Sequence, residues 1–155
     1  MRVWRIASRR HPGLDGEGAR VAGGRWNSKG TPMVYTSATL SLAALEYLVN
    51  VGIDEAPWDL ISMSAAIPDS VSRKKLALGD LPANWRTYPT PERLAAIGSA
   101  WAASLESAVL VVPSAVIPEE MNWLLNPRHP DAGRIVIEKK AAFRFDPRLR
   151  RRKMR

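Results

Sequence analysis

Hydrophobic and polar positions divide the chain into short, unevenly spaced segments. Arg2 to Ala7 (RVWRIA) alternates closely enough for a strand. Ser8 to Gly24 carries five glycines and reads as a long loop. Met33 to Thr36 (MVYT) predicts a short strand. Apolar residues at helical spacing then predict a helix, capped by Thr39 or Ser41, running to about Asn50 and stopped by Gly52. At about 100° per residue, Ala38, Leu42, Leu45 and Val49 share one face, and Glu46 falls on the flank of that stripe. Trp58 to Ile67 predicts a strand closed by Pro68. Pro91 to Leu105 predicts a second helix with Thr90 as its cap. Ala108 to Val112 (AVLVV) is apolar enough for the centre of a sheet. Glu119 to Leu125 predicts a helical turn ended by Asn126 and Pro127, and Arg134 to Phe145 one or two closing strands. Strands and helices do not alternate regularly. The expected class is therefore α+β with a mixed sheet and few helices, not a doubly wound parallel sheet.

Composition narrows the chemistry. A chain of 155 residues with 46% hydrophobic content fits one domain with a packed core. The absence of cysteine excludes disulfides, thiolate nucleophiles and cysteine-ligated zinc. The two histidines, His11 and His129, lie far apart at no metal-binding spacing. The first residues carry charge without an apolar leader segment, and no run approaches the roughly 18 apolar residues of a membrane span, so a cytoplasmic protein is expected. The net charge of +8 sits mostly at the end, where the last twelve residues hold seven basic groups and one acidic group. The remainder has sixteen basic against fourteen acidic residues, about +2. The expected organisation is one domain over 1–147 and a basic tail over 148–155. That tail suits a solvated terminus, an acidic partner or nucleic acid.

Three segments carry candidate chemistry. GARVAGGR, Gly18 to Arg25, lacks the Lys-Ser/Thr pair of a phosphate loop, and Val21 stands where a dinucleotide fingerprint needs its third glycine. Arg20 and Arg25 nevertheless flank glycines, and guanidinium forks suit phosphate oxygens. The plainer reading is a pair of surface arginines. Trp26 is either a loop anchor or a ligand contact. Glu46 places a carboxylate beside a core, which demands a partner: a structural arginine or a cationic transition state. Tyr35, just before that helix, is a sheet aromatic or a stacking platform. A cation, an aromatic ring and a carboxylate together suit cleavage of the nicotinamide–ribose bond of NAD. There the leaving group is already a pyridinium and the ribose becomes cationic. Ser114 follows the apolar strand. Without a GxSxG elbow or a placed histidine it is a hydrogen-bond donor or turn residue more than a nucleophile. Asn122 and Asn126 read as turn or cap residues, with ligand contact as the alternative.

The order GxRxxGGRWN, VYTS, LAALEYL and VPSAVIPEEMNWLLNPRHPD resembles the RES-domain toxins of bacterial toxin–antitoxin pairs over nearly the whole chain. The arginine, glutamate and serine of that family's name match Arg25, Glu46 and Ser114, and its tyrosine matches Tyr35. The resemblance implies a split mixed sheet similar to ADP-ribosyltransferases of the diphtheria-toxin type, with NAD as substrate and no further cofactor. It implies Glu46, Arg25 and Ser114 as catalytic residues and Tyr35 as a contact to NAD; Arg20, Trp26 and Asn122, candidates from the residues themselves, are expected to contact NAD as well. It further implies a hetero-oligomer with a helix-turn-helix antitoxin that blocks the cleft and alone contacts DNA. Transfer of ADP-ribose to a cellular protein is the enzymatic alternative. A nucleic-acid-binding module built on the tail and an inactive interaction domain are the non-enzymatic ones.

Overall fold

The computed structural model describes residues 1–150. Its elements are β1 (Arg2–Ser8), α1 (Glu17–Ala22), β2 (Val34–Ser37), α2 (Leu40–Val51), β3 (Leu60–Ala66), β4 (Arg73–Lys75), α3 (Glu92–Ser104), β5 (Val109–Pro113), β6 (Met121–Leu125) and β7 (Val136–Phe143), with short 3-10 turns between some of them. The strands form one sheet in the order β4-β5-β6-β2-β1-β3-β7. Only β4 and β5 run parallel, so the sheet is mixed, as the irregular alternation of elements predicts. β1 and β2 meet at the single pair Trp4↔Ser37, whereas β1 pairs with β3 along its full length. The sheet is thus divided into two halves, β4-β5-β6-β2 and β1-β3-β7, that part beside that one pair.

β5 shows why the AVLVV run is so apolar. Val109 and Val111 enter a cluster with Val3, Val34 and Ile67 on one face, and Leu110 and Val112 enter another with Leu94 and Trp101 on the opposite face. Leu94, Leu110 and Leu124 are fully buried; each such side chain contributes about 1.5–3 kcal/mol. The strand lies one place in from the sheet edge, next to the short β4. Both long helices cover the same face: α3 lies over β5 and β6, and α2 packs Ala43 and Tyr47 with Ile6 and Leu60 of the other half. A cleft lined by α2, β1, β2 and β6 opens at the split.

Several local expectations change. Residues 119–125 include strand β6 and no helical turn, because β2 and β5 pair with it on both sides. Part of the predicted glycine loop forms α1. Thr39 does cap α2, accepting a hydrogen bond from the Leu42 N–H at 3.1 Å, but α3 starts after Pro91 and not from a Thr90 cap. The buried face of α2 is not the predicted stripe. Leu42 and Ala43 are buried, while Leu45 and Val49 are exposed, so Glu46 and Tyr47 turn toward the sheet. Among the described residues no helix is long and apolar enough to cross a membrane. The predicted tail lies mostly at 151–155, outside the described residues. Of its beginning, Arg148 pairs with Asp146 at 2.8 Å and the Arg150 guanidinium lies 4.2 Å above the Trp58 ring.

Candidate active site

The turn Gly24–Asn27 is closed by hydrogen bonds between its end residues, 2.9 Å from the Gly24 N–H and 3.4 Å from the Asn27 N–H. Its two middle residues separate by polarity. Trp26 goes into the core with Met33, Leu94 and Trp101, and Arg25 stays half-buried, close enough to Glu46 to sense its charge. Asn27 anchors the turn, donating to the Ala19 carbonyl at 2.8 Å and the Thr31 carbonyl at 3.0 Å. Its Oδ1 accepts from the Tyr35 hydroxyl at 2.7 Å, and that hydroxyl accepts from the Trp26 N–H at 3.0 Å. The phenol approaches Gly24 so closely that a Cβ there would stand 2.7 Å from its oxygen. The second glycine of GGRW is therefore required by Tyr35. Burial pushes the Tyr35 phenol above its ordinary range, opposed by the Trp26 N–H and the nearby Arg25 charge. It is a neutral donor at physiological pH.

Glu46 lines a cleft of about 160 Å3 at the split, together with Trp4, Arg5, Tyr35, Ser37 and Asn122. Its Oε1 accepts two hydrogen bonds, from Ser114 Oγ at 2.8 Å and from Asn122 Nδ2 at 2.6 Å. The proton of Ser114 has one place to go. That oxygen already accepts from the Val116 and Ile117 N–H groups, at 3.1 Å and 3.0 Å, and the side chain is fully buried. Ser114 is therefore a donor fixed by the main chain, not a nucleophile. No hydrogen bond or ion pair occupies Glu46 Oε2 among the described residues. The arrangement holds a carboxylate by one oxygen and leaves the other free.

Two guanidinium groups lie in or beside this cleft. Arg25 donates to the Trp85 carbonyl at 2.8 Å, and its remaining N–H groups have no protein acceptor among the described residues. Desolvation lowers its pKa, opposed by the Glu46 carboxylate and then by the Tyr35 phenol. Arg5, on β1, lines the cleft with its Nε buried and unpartnered. Desolvation lowers its pKa as well, with Asp15 opposing. Both remain cations, since an arginine keeps its proton in proteins. A buried guanidinium without a carboxylate is costly unless an anion or carbonyl oxygen joins it. Among the described residues no cluster of three His, Asp or Glu side chains forms a metal site.

The structure thus brings together Glu46, Ser114, Asn122 and Tyr35, with Arg25 alongside. Arg20 is elsewhere: it pairs with Glu17, 2.8 Å from Nε to Oε2, and lines a separate open depression with Pro127 and Arg128. The indole of Trp26 is in the core, so its ring does not reach a ligand. Asn122 is a strand residue that holds Glu46, and neither a turn nor a cap. Arg5 and Ser37 escaped the sequence reading; the available signal was a charge alternating with apolar residues inside RVWRIA.

The family model described as RES domain matches residues 2–147. A protein of Sphingobium sp. named Prs ADP-ribosylating toxin is 37% identical over 155 residues, spanning 96% of each chain. Toxin Res of Yersinia enterocolitica is 38% identical over 97% of this chain and 100% of its own length. The fold is similar to a chain in the crystal structure of the M. tuberculosis MbcT-MbcA toxin-antitoxin complex, with a TM-score of 0.73 and 16% identity over 92% of this chain and 83% of that one.

Proposed function

Since this chain belongs to the RES-domain family, we propose that it is the toxin of a toxin–antitoxin pair and that its cleft cleaves the nicotinamide–ribose bond of NAD. The observation that carries this reading is the carboxylate of Glu46, fixed through Oε1 and unoccupied at Oε2, in a cleft it shares with Tyr35 and Arg5 and within reach of the Arg25 charge. As the C1′–N bond breaks, its electron pair goes to the pyridinium, which leaves as neutral nicotinamide. The ribose carbon becomes cationic. Glu46 Oε2 faces that charge and accepts from the 2′-hydroxyl, as carboxylates do in sugar transfer. Its effect is large because the cleft is partly desolvated. An acceptor then bonds C1′ and loses its proton to solvent.

Arg25 supplies a cation for the diphosphate, Arg5 offers N–H donors to an acceptor oxygen of the part that enters, and Tyr35 stacks on the ring. The volume of about 160 Å3 is well below the roughly 300–1,000 Å3 of cavities that enclose a drug-sized ligand. One end of NAD therefore enters, and the diphosphate stays at the Arg25 rim. Ser114 and Asn122 act by holding Glu46. NAD is the substrate, with no other cofactor. The antitoxin, with its helix-turn-helix part, covers this cleft in a cytoplasmic hetero-oligomer and is the route to DNA. The domain spans 1–147, and the basic residues after it lie outside the site.

Water or inorganic phosphate as acceptor depletes NAD. A protein side chain as acceptor is the second reading, favoured by the name of the Sphingobium relative. Expression in a bacterial host without the antitoxin separates them. Growth arrest with a collapsed NAD pool supports depletion, and arrest with an intact pool and an ADP-ribosylated protein supports transfer. Normal growth and normal NAD with intact, soluble protein contradict both.

A further inference from the structure

Ser37 is buried in β2, opposite Asn122 of β6 in the strand register. Its Oγ donates to Asn122 Oδ1 at 2.7 Å, and Asn122 Nδ2 donates to Glu46 Oε1 at 2.6 Å. An amide held at its oxygen by a hydroxyl and at its nitrogen by a carboxylate has one orientation. Turned over, it would set Oδ1 against Oε1, two acceptors without a proton between them. We infer that Ser37 is a positioning residue for the cleavage proposed above: through Asn122 it sets the plane of the Glu46 carboxylate, so that Oε1 stays bound to protein and Oε2 is the oxygen presented to the ribose.

The second arm of this clamp, Ser114, cannot do this alone. A single hydrogen bond fixes one oxygen and leaves the carboxylate free to rotate about it, whereas a second donor from another element defines the plane. The two arms are also supported differently. Ser114 is held by two backbone N–H groups, while Ser37 is the one side chain among the described residues that bonds the Asn122 amide oxygen. Glu46 itself sits on α2, a helix that buries few of its residues, so its side chain is oriented from the sheet and not by its own helix. The register of β2 and β6 is thereby linked to the geometry of the reacting group.

The inference rests on reading the site as NAD-cleaving, and its test separates the two. Nicotinamide release is measured for the parent, Ser37→Ala, Ser37→Thr, Asn122→Ala and the double Ser37→Ala/Asn122→Ala variant, each checked for an unchanged melting profile. Ser37→Ala lowers kcat about tenfold with KM for NAD unchanged, as a misaligned group does. Ser37→Thr, which keeps the hydroxyl, retains activity. In the Asn122→Ala background, Ser37→Ala has no further effect, because the route through the amide is already cut. The nitrogen-15 spectrum gives a readout that needs no turnover. The Asn122 side-chain amide, assigned by its loss in Asn122→Ala, is protected from solvent exchange in the parent and loses protection in Ser37→Ala. An unchanged amide, additive losses in the double variant, or an effect on KM alone overturns the inference. A parent that releases no nicotinamide overturns the proposed function instead, and the amide spectra still decide the role of Ser37.

Discussion

Replacing Gly98 with alanine would strengthen an isolated helix and should damage this protein. Gly98 lies within α3, where alanine is favoured over glycine by about 1 kcal/mol. A methyl group there would stand 1.9 Å from the Trp26 carbonyl oxygen and 2.8 Å from its carbonyl carbon. Ordinary contact begins near 3.4 Å, so α3 and the Gly24–Asn27 turn must part by about 1.5 Å, and overpacking of this kind costs about 1–3 kcal/mol. The net expectation is a loss of up to about 2 kcal/mol once the helix gain is counted. The displaced turn carries Arg25, and the Ser28 N–H just beyond it donates to Ser99 Oγ of α3 at 2.9 Å. Movement there is passed to the guanidinium, so NAD affinity should fall about tenfold or more. The Glu46 clamp hangs on β2, β6 and the residues after β5, so kcat should fall less. Urea unfolding followed by tryptophan fluorescence gives the first quantity. Titration of NAD into the protein made inactive by Glu46→Gln, with and without Gly98→Ala, gives the second. A Gly98→Ala protein as stable as the parent, binding NAD as tightly, would refute the claim that the contact between helix and turn places Arg25.

Further outcomes follow from the individual side chains. Arg5→Met should leave stability unchanged or raise it by about 1 kcal/mol, since it removes a partly desolvated charge whose Nε has no partner, yet weaken NAD binding about tenfold; denaturation and titration on one sample compare the two. Ser114→Ala should cost about 2–3 kcal/mol as well as activity, because the Val116 and Ile117 N–H groups lose their acceptor, whereas Glu46→Gln should change the melting temperature little. Arg20→Ala should leave NAD affinity as it is, since its guanidinium is engaged with Glu17 beside a separate depression; a clear loss of affinity on titration would move Arg20 back into the site.

The fold class and the carboxylate were readable because they depend on local pattern. The irregular alternation of strands and helices gives a mixed sheet, and an acidic residue among leucines and alanines stands out wherever the helix packs. What remained hidden depends on pairing across the sheet. Asn122 sits among prolines and asparagines that favour turns, and becomes a strand residue through β2 and β5 on either side. Leu45 and Val49 dominate the helical periodicity, yet the sheet division presents α2 with contacts at Leu42, Ala43 and Tyr47, and these decide which face is buried. Trp26 looked like a ligand contact through its neighbour Arg25, but residues in the middle of a tight turn point apart. Arg5 reads as an ordinary strand position until the split beside Trp4↔Ser37 exposes it to the cleft.

The proposed cleavage of NAD depends on Glu46, held by one oxygen and free at the other. The direct measurement is to incubate the purified protein with NAD, with and without inorganic phosphate, and to follow free nicotinamide and the ribose-bearing product. The parent should release nicotinamide. Glu46→Gln, with the same fold and similar NAD affinity, should be slower by about 10²–10³, the usual loss for one preorganised electrostatic group. Release by the Gln variant at nearly the parental rate would make Glu46 a structural residue and contradict the account.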